Sequence, residues 1–175
     1  MKRALIITGQ GFQDQEVIYP YYRLQEDEFI VDVAAKNKET LFGIFGTKIE
    51  ATISFDNIQV DNFDLLILPG GVKALEKIRQ EKKVLDFISD WNSKKKVISS
   101  TCHGAQLMIS AKIVKGKKIS GYYSIKDDIN NAGAEYIDEP AVIDGNIISS
   151  PHYKHMGPWM KETIKLFNET HDKEN

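Results

Sequence analysis

The chain of 175 residues has one cysteine, Cys102, so no internal disulfide can form; this agrees with a reducing compartment, and a cytoplasmic location is expected. It has no excess of charge of either sign. With 23 basic and 25 acidic residues the net charge is −2, and lysines cluster only at 94–96 and 115–118, as solvated helix or turn faces do. No nucleic-acid partner is expected from such a balance. Long apolar runs are missing too. The opening "MKRALIITG" starts basic, but its apolar stretch reaches Gly9 within about five residues, too short for a signal peptide or a membrane span. There is no internal repeat, low-complexity tract or linker. At 42% apolar residues the chain is long enough to fill one core, so a single domain over 1–168 with a flexible tail at 169–175 is expected.

What the sequence does contain is an alternation of short β-rich apolar runs with amphipathic stretches, the pattern of parallel strands joined by helices. Strands are predicted at 4–8, 29–35, 65–68 and 97–100, the third continuously apolar and so covered on both faces. Helices are predicted at 17–28, 84–94, 103–111, 124–132 and 159–167; in the second, Leu85, Ile88 and Trp91 recur at the spacing of a buried stripe. The glycine-punctuated "LFGIFGTKIEATISF" reads as a hairpin, as does "VIDGNIISS" with its Asp-Gly pair. Together these predict a three-layer α/β domain with a mostly parallel central sheet.

The cysteine lies where the strand at 97–100 gives way to a helix, on a sharp turn like the nucleophile elbow of α/β enzymes. Such a turn needs small residues two places before and after the nucleophile, and Ser100 and Gly104 occupy those places. The amino end of the following helix predicts a thiol acidified enough to be ionised at neutral pH. Two other strand ends carry polar or glycine-rich loops, "TGQGFQDQE" and "LPGG", and in open α/β sheets these ends converge on one crevice. Glu16 then supplies a carboxyl group for proton transfer, and the backbone N–H groups of Gly71 and His103 an oxyanion hole.

These residues carry a resemblance. "TCHGAQLMISA" resembles the "CHGPQ" nucleophile turn of the ThiJ/PfpI family, in the class I glutamine-amidotransferase-like superfamily, and is nearest its PfpI intracellular protease-like branch. "GFQDQEVIYPYYRL", "LLILPGG", "SIKDDINNAGAEYIDE" and "VIDGNIISS" follow in the family's order, so that the likeness runs from about residue 2 to 167. The resemblance implies a flavodoxin-like or Rossmann-like sandwich, Cys102 as nucleophile, Glu16 as a carboxyl hydrogen-bonded to it and kept protonated by burial and the adjacent thiolate, His103 as a neighbour, and a homodimer or higher homo-oligomer. It implies no metal or organic cofactor. In the PfpI branch a glutamate from a neighbouring subunit orients the histidine. Glu76 is the residue offered for that role, one residue further from the glycines than in the family pattern; it is equally an ordinary solvated carboxylate.

Adjacent helix positions face about 100° apart, so the His103 ring need not point at the sulfur even if its backbone N–H does. The largest departure from the family is "SSPHYKHMGPW". Where an arginine is common the chain has Pro151, and His152, Tyr153, Lys154 and His155 arrive in the same loop as expected substrate-binding residues. The two histidines have an H-x-x-H spacing, but without an acidic or cysteine ligand nearby in sequence they read as a polar pocket wall rather than a metal site. "YPYYRL" reads as helix packing, and "GQG" at 9–11 is too short for a dinucleotide fingerprint. Three functions follow. The first is an enzyme acting on small reactive carbonyl compounds, of glutathione-independent glyoxalase or deglycase type. The second is peptide or amide hydrolysis through Cys102, His103 and Glu76. The third is a non-enzymatic redox sensor or stress-response protein.

Overall fold

Residues 65–68, Leu-Leu-Ile-Leu, have no polar side chain to offer to water, and they form a central strand buried along its whole length. The computed structural model describes residues 1–174. The elements in chain order are β1 (Lys2–Ile7), α1 (Asp14–Glu26), β2 (Phe29–Ala35), β3 (Thr40–Phe42), β4 (Lys48–Glu50), β5 (Ile53–Ser54) and β6 (Leu65–Leu68). There follow α2 (Val72–Ile78), α3 (Lys82–Ser93), β7 (Ile98–Thr101), α4 (Ala105–Ser110), β8 (Lys118–Ile119), α5 (Lys126–Asn131) and β9 (Glu135–Tyr136). The last are β10 (Val142–Asp144), β11 (Ile147–Ser150) and α6 (Met156–Asp172).

Seven strands make the main sheet in the order β10-β11-β7-β6-β1-β2-β5, parallel throughout except for the β10–β11 hairpin. It is a three-layer, flavodoxin-like α/β sandwich. Helices α2, α3 and α4 bury Leu75, Ile88, Trp91 and Met108 on one face with Leu5, Leu66 and Ile98. Helices α1 and α6, with the β3–β4 hairpin, bury Val17, Leu24, Trp159 and Leu41 on the other with Ala4, Ile6 and Ile67. From β1 the chain crosses to β2 on one side and later to β6 on the other. The loops after β1, β6 and β7 therefore open into one crevice at the strand carboxyl ends.

Several boundaries differ from those predicted, for local reasons. Helix α1 begins three residues early because the Gln13 side chain accepts the N–H of Glu16 (3.1 Å) and caps it. Helix α2 has only seven residues and was not predicted; its apolar stripe of Ala74, Leu75 and Ile78 is too short to show a period. Helix α4 starts at Ala105 instead of 103 because residues 102–104 form a 3-10 turn. Helix α6 is longer at both ends than 159–167. Pro158 is accommodated in its first turn, where no intrahelical N–H is required. At the other end His171 stacks on Phe167 at 5.2 Å, so residues 169–172, expected as a loose tail, are helical.

Among the described residues no helix is long and apolar enough to cross a membrane. Trp91 is fully buried and donates its indole N–H to the Val97 carbonyl (3.1 Å), tying α3 to the start of β7. Trp91→Ala is expected to lower the unfolding free energy by about 3–5 kcal/mol, read from urea midpoints. A loss below about 1 kcal/mol would show that this contact does not anchor the layer.

Candidate active site

Cys102 has φ 57°, the left-handed region that an L-residue enters at a cost of about 1–2 kcal/mol. The elbow keeps it there because β7 must end against β6 while the chain turns at once into α4. Gly104 makes that turn possible: a Cβ on it would overlap the Leu68 carbonyl oxygen. The small residue expected two places after the nucleophile is thus required by backbone contact.

Glu16 sits in the first turn of α1 and is fully buried. Its Oε1 accepts the Gly70 N–H at 2.7 Å. Gly70 itself lies so near the acid and the elbow that a Cβ there would overlap Glu16 Oε1 and come within 3.0 Å of the Cys102 Cβ. Loops from β1, β6 and β7 therefore meet at one backbone position, and only glycine fits it. Glu16 Oε2 has no partner of good hydrogen-bond geometry, and the group its charge couples to is the Cys102 thiol.

The protonation of this pair follows the resemblance for the acid and departs from expectation for the thiol. Burial pushes the Glu16 carboxyl up to about 7, against the pull of the Gly70 N–H and the thiol. Burial, and then the charge on Glu16, push the Cys102 thiol well above its ordinary range, with only the His103 backbone N–H pulling the other way. The thiol ionised at neutral pH, expected from the helix end, is corrected accordingly. Helix α4 is six residues long and starts three residues past the sulfur, while the thiol is 6% exposed beside a carboxylate.

His103 is adjacent in sequence and, in the 3-10 turn, its ring does reach the sulfur, with Nδ1 3.4 Å from Sγ. Its Nε2 is 3.3 Å from the Ser124 hydroxyl, and burial lowers its pKa, which keeps the imidazole neutral. The Gly71 N–H opens α2 and has no acceptor among the described residues, whereas the His103 N–H is directed at the sulfur. Glu76 lies on the exposed face of α2, and among the described residues the hydrogen-bond partners of the His103 ring are Cys102 and Ser124.

The loop after β11 enters the same crevice. His152 caps the 3-10 turn Tyr153–His155 by accepting the Lys154 N–H on Nδ1 (3.1 Å). Its ring is 5.7 Å from that of Tyr122, which is 4.9 Å from His103. Lys154 is exposed and His155 half-buried. Among the described residues no group of three His, Cys, Asp or Glu side chains is placed to hold a metal ion. Tyr122 and Ser124 were missed from sequence. The signal available was the aromatic pair in "SGYYSIKDD", just ahead of a motif already singled out.

Known proteins resemble this chain along almost its whole length. The family model described as the DJ-1/PfpI family matches residues 2–166. "Deglycase PfpI" of Pyrococcus furiosus is 38% identical over 164 residues, covering 94% of this chain and 98% of that one. "General stress protein 18" of Bacillus subtilis is 32% identical over 144 residues, 81% of this chain and 83% of that one. Among solved structures, a two-domain protein from Anabaena variabilis containing DJ-1/ThiJ/PfpI-like and ferritin-like domains superposes with a TM-score of 0.93 at 28% identity. The match spans 96% of this chain and 48% of that one.

The buried carboxyl makes stability depend on pH in a defined direction. Glu16 holds its proton more tightly folded (about 7) than unfolded (4.5). Its contribution is therefore full below the unfolded value and is lost as pH rises through the folded one. Glu16→Gln keeps an acceptor for Gly70 but cannot ionise. It is expected to exceed the parent in stability above pH 7 by on the order of 3 kcal/mol and to show no gain near pH 4, in paired urea titrations. Equal gains at both pH values would mean that ionisation of Glu16 is not the cause.

Proposed function

Because the chain belongs to the DJ-1/PfpI family, we propose that it is a cysteine-dependent enzyme of the deglycase type, acting on small reactive carbonyl compounds or on the adducts they form with amines. The observation that carries this reading is the buried Glu16 carboxyl beside Cys102, with a proton affinity near neutrality. A base poised there takes the thiol proton as sulfur attacks, so the sulfur need not be ionised beforehand.

The steps balance without an external oxidant. Sulfur adds to the aldehyde carbon of a 2-oxoaldehyde, and the carbonyl oxygen takes up a proton, giving a hemithioacetal. With a glycated amine, sulfur displaces the amine from the aminocarbinol carbon to reach the same species. Glu16 then moves a proton from that carbon to its neighbour through an enediol, converting the hemithioacetal into a thioester of a 2-hydroxy acid. Water cleaves the thioester, releasing the hydroxy acid and restoring the thiol. Backbone N–H groups of Gly71 and His103 are assigned to the developing oxyanion.

One contact favours a second reading. The neutral His103 ring, 3.4 Å from Sγ, also suits amide hydrolysis, with Ser124 and not Glu76 as the group that holds the imidazole in one chain. A second copy of the chain would be needed to bring Glu76 to the site, and a solution mass of 19.9 kDa would remove that residue from the reading.

Incubation with methylglyoxal in the absence of glutathione is expected to yield lactate, with kcat/KM rising as Glu16 deprotonates through about pH 7. Cys102→Ala is expected to abolish turnover, and Glu16→Gln to flatten the pH profile at a much lower rate. Cleavage of an unstructured peptide without lactate formation would move the assignment to a hydrolase. Stoichiometric oxidation of Cys102 by mild peroxide, with no turnover of either substrate, would make the protein a redox sensor.

A further inference from the structure

The rim of the cysteine site is built from rings. From His103, which touches the sulfur, the contacts run to Tyr122 (4.9 Å), from Tyr122 to Tyr123 (4.4 Å) and to His152 (5.7 Å, near-parallel at 29°), and from His152 to Tyr153 (3.9 Å). Two features make this array a surface for binding and not core packing. Tyr123 and Tyr153 are 71% and 41% exposed, so ring faces are open to solvent beside the nucleophile. The array is also tied to the elbow: the Tyr122 N–H donates to the Cys102 carbonyl at 3.1 Å, and the His152 ring is fixed by the Lys154 N–H. Its rings are held in place before any ligand arrives, so little ordering is required on binding.

The charge at the rim points the same way. Among the described residues the three arginines are engaged elsewhere, with Asp32, Asp27 and Ser110, Pro151 is buried where the resemblance implies a guanidinium, and Lys154 is exposed. With no guanidinium there to select an acidic substituent, recognition falls to the rings of Tyr123 and Tyr153 that are open to solvent, which suit a flat π-system. A methyl group on the carbonyl covers little of this surface. A phenyl group extends along it.

Resting on the reading of Cys102 as a nucleophile for carbonyl compounds, we infer that the site is selective for carbonyls bearing an aromatic ring. The substrates are arylglyoxals or their amine adducts, with Tyr122, His152 and Tyr153 as the specificity-determining residues. The aldehyde carbon sits at Sγ, and the aryl group lies along the rings that lead away from His103.

Two measurements test this independently of each other. In steady-state assays kcat/KM for phenylglyoxal is expected to exceed that for methylglyoxal by roughly tenfold, mainly through KM. That ratio is expected to fall about fivefold in Tyr153→Ala and in His152→Ala, and to be kept in Tyr153→Phe, because the ring and not the hydroxyl makes the contact. The second measurement needs no turnover. With Cys102→Ser protein, ligand-observed NMR is expected to show benzoylformate bound more tightly than pyruvate, the matched acid without the ring, with magnetisation transfer from tyrosine ring protons. Equal kcat/KM for the two oxoaldehydes, unchanged by the substitutions, would overturn the selectivity while leaving the carbonyl chemistry standing. If neither oxoaldehyde is consumed yet benzoylformate still binds on the tyrosines, the aryl preference holds and the proposed reaction falls. Equal binding of benzoylformate and pyruvate, or no contact with the tyrosines, overturns the inference whatever the activity.

Discussion

A carboxyl group cut off from water, accepting one backbone N–H and facing one thiol, is the constraint around which the crevice is arranged. Glu16 is fully buried and has a single good donor, Gly70. An ionised carboxylate in such a place lacks the several donors that would solvate it, so it holds a proton to a far higher pH than a surface glutamate does. The same burial keeps the Cys102 thiol protonated. Both groups resist ionisation, and because the thiol is pushed further up than the carboxyl, Glu16 is the one of the two that ionises first.

Holding that pair requires backbone from three loops to converge, and this explains the glycines. Gly70 is squeezed between the acid and the elbow, and Gly104 lies against the carbonyl end of β6. The strained backbone of Cys102 is tolerated because β7 is locked on both sides, by β6 through Leu68↔Ser100 and by β11 through Ser150↔Thr101. Packing supplies the force for this. Trp91 and Ile88 press one face of the sheet and Trp159 and Met160 the other, so that local strain of a kcal/mol or two does not relax by moving a strand.

The outer part of the site has a different character from the inner part. Inside, two titratable groups share a dry enclosure. Outside, rings of His103, Tyr122, His152 and Tyr153 follow one another to the surface, and the position where family resemblance suggested a guanidinium holds the buried Pro151. On the proposed reading this division separates chemistry from selectivity. Glu16 and Cys102 come from the segments after β1 and β7 and are held by Gly70 after β6, whereas His152 and Tyr153 come from the loop after β11.

The main strands and helices were legible in the residues because apolar periodicity is a local property. "LLIL" reads as a buried strand in any context, the Asp-Gly pair at 144–145 marks a hairpin, and Leu85, Ile88 and Trp91 mark a helix face. The elbow was legible too, since Gly104 is small for a steric reason that its spacing from Cys102 reveals. The proton affinity of the thiol was not. A helix amino end beside Cys102 suggested an acidic thiol, but desolvation and the approach of Glu16 across 86 residues of chain reverse the sign, and both exist only once three loops are packed together. The same holds for the His103 ring, whose direction follows from a 3-10 turn instead of an α-helical one, and for Tyr122, brought to His103 and His152 by the fold alone. Sequence by itself determined which groups were available and on which strand ends they lie. Tertiary structure decided their distances and their access to water, because Coulomb energy and desolvation depend on separations that no local pattern encodes.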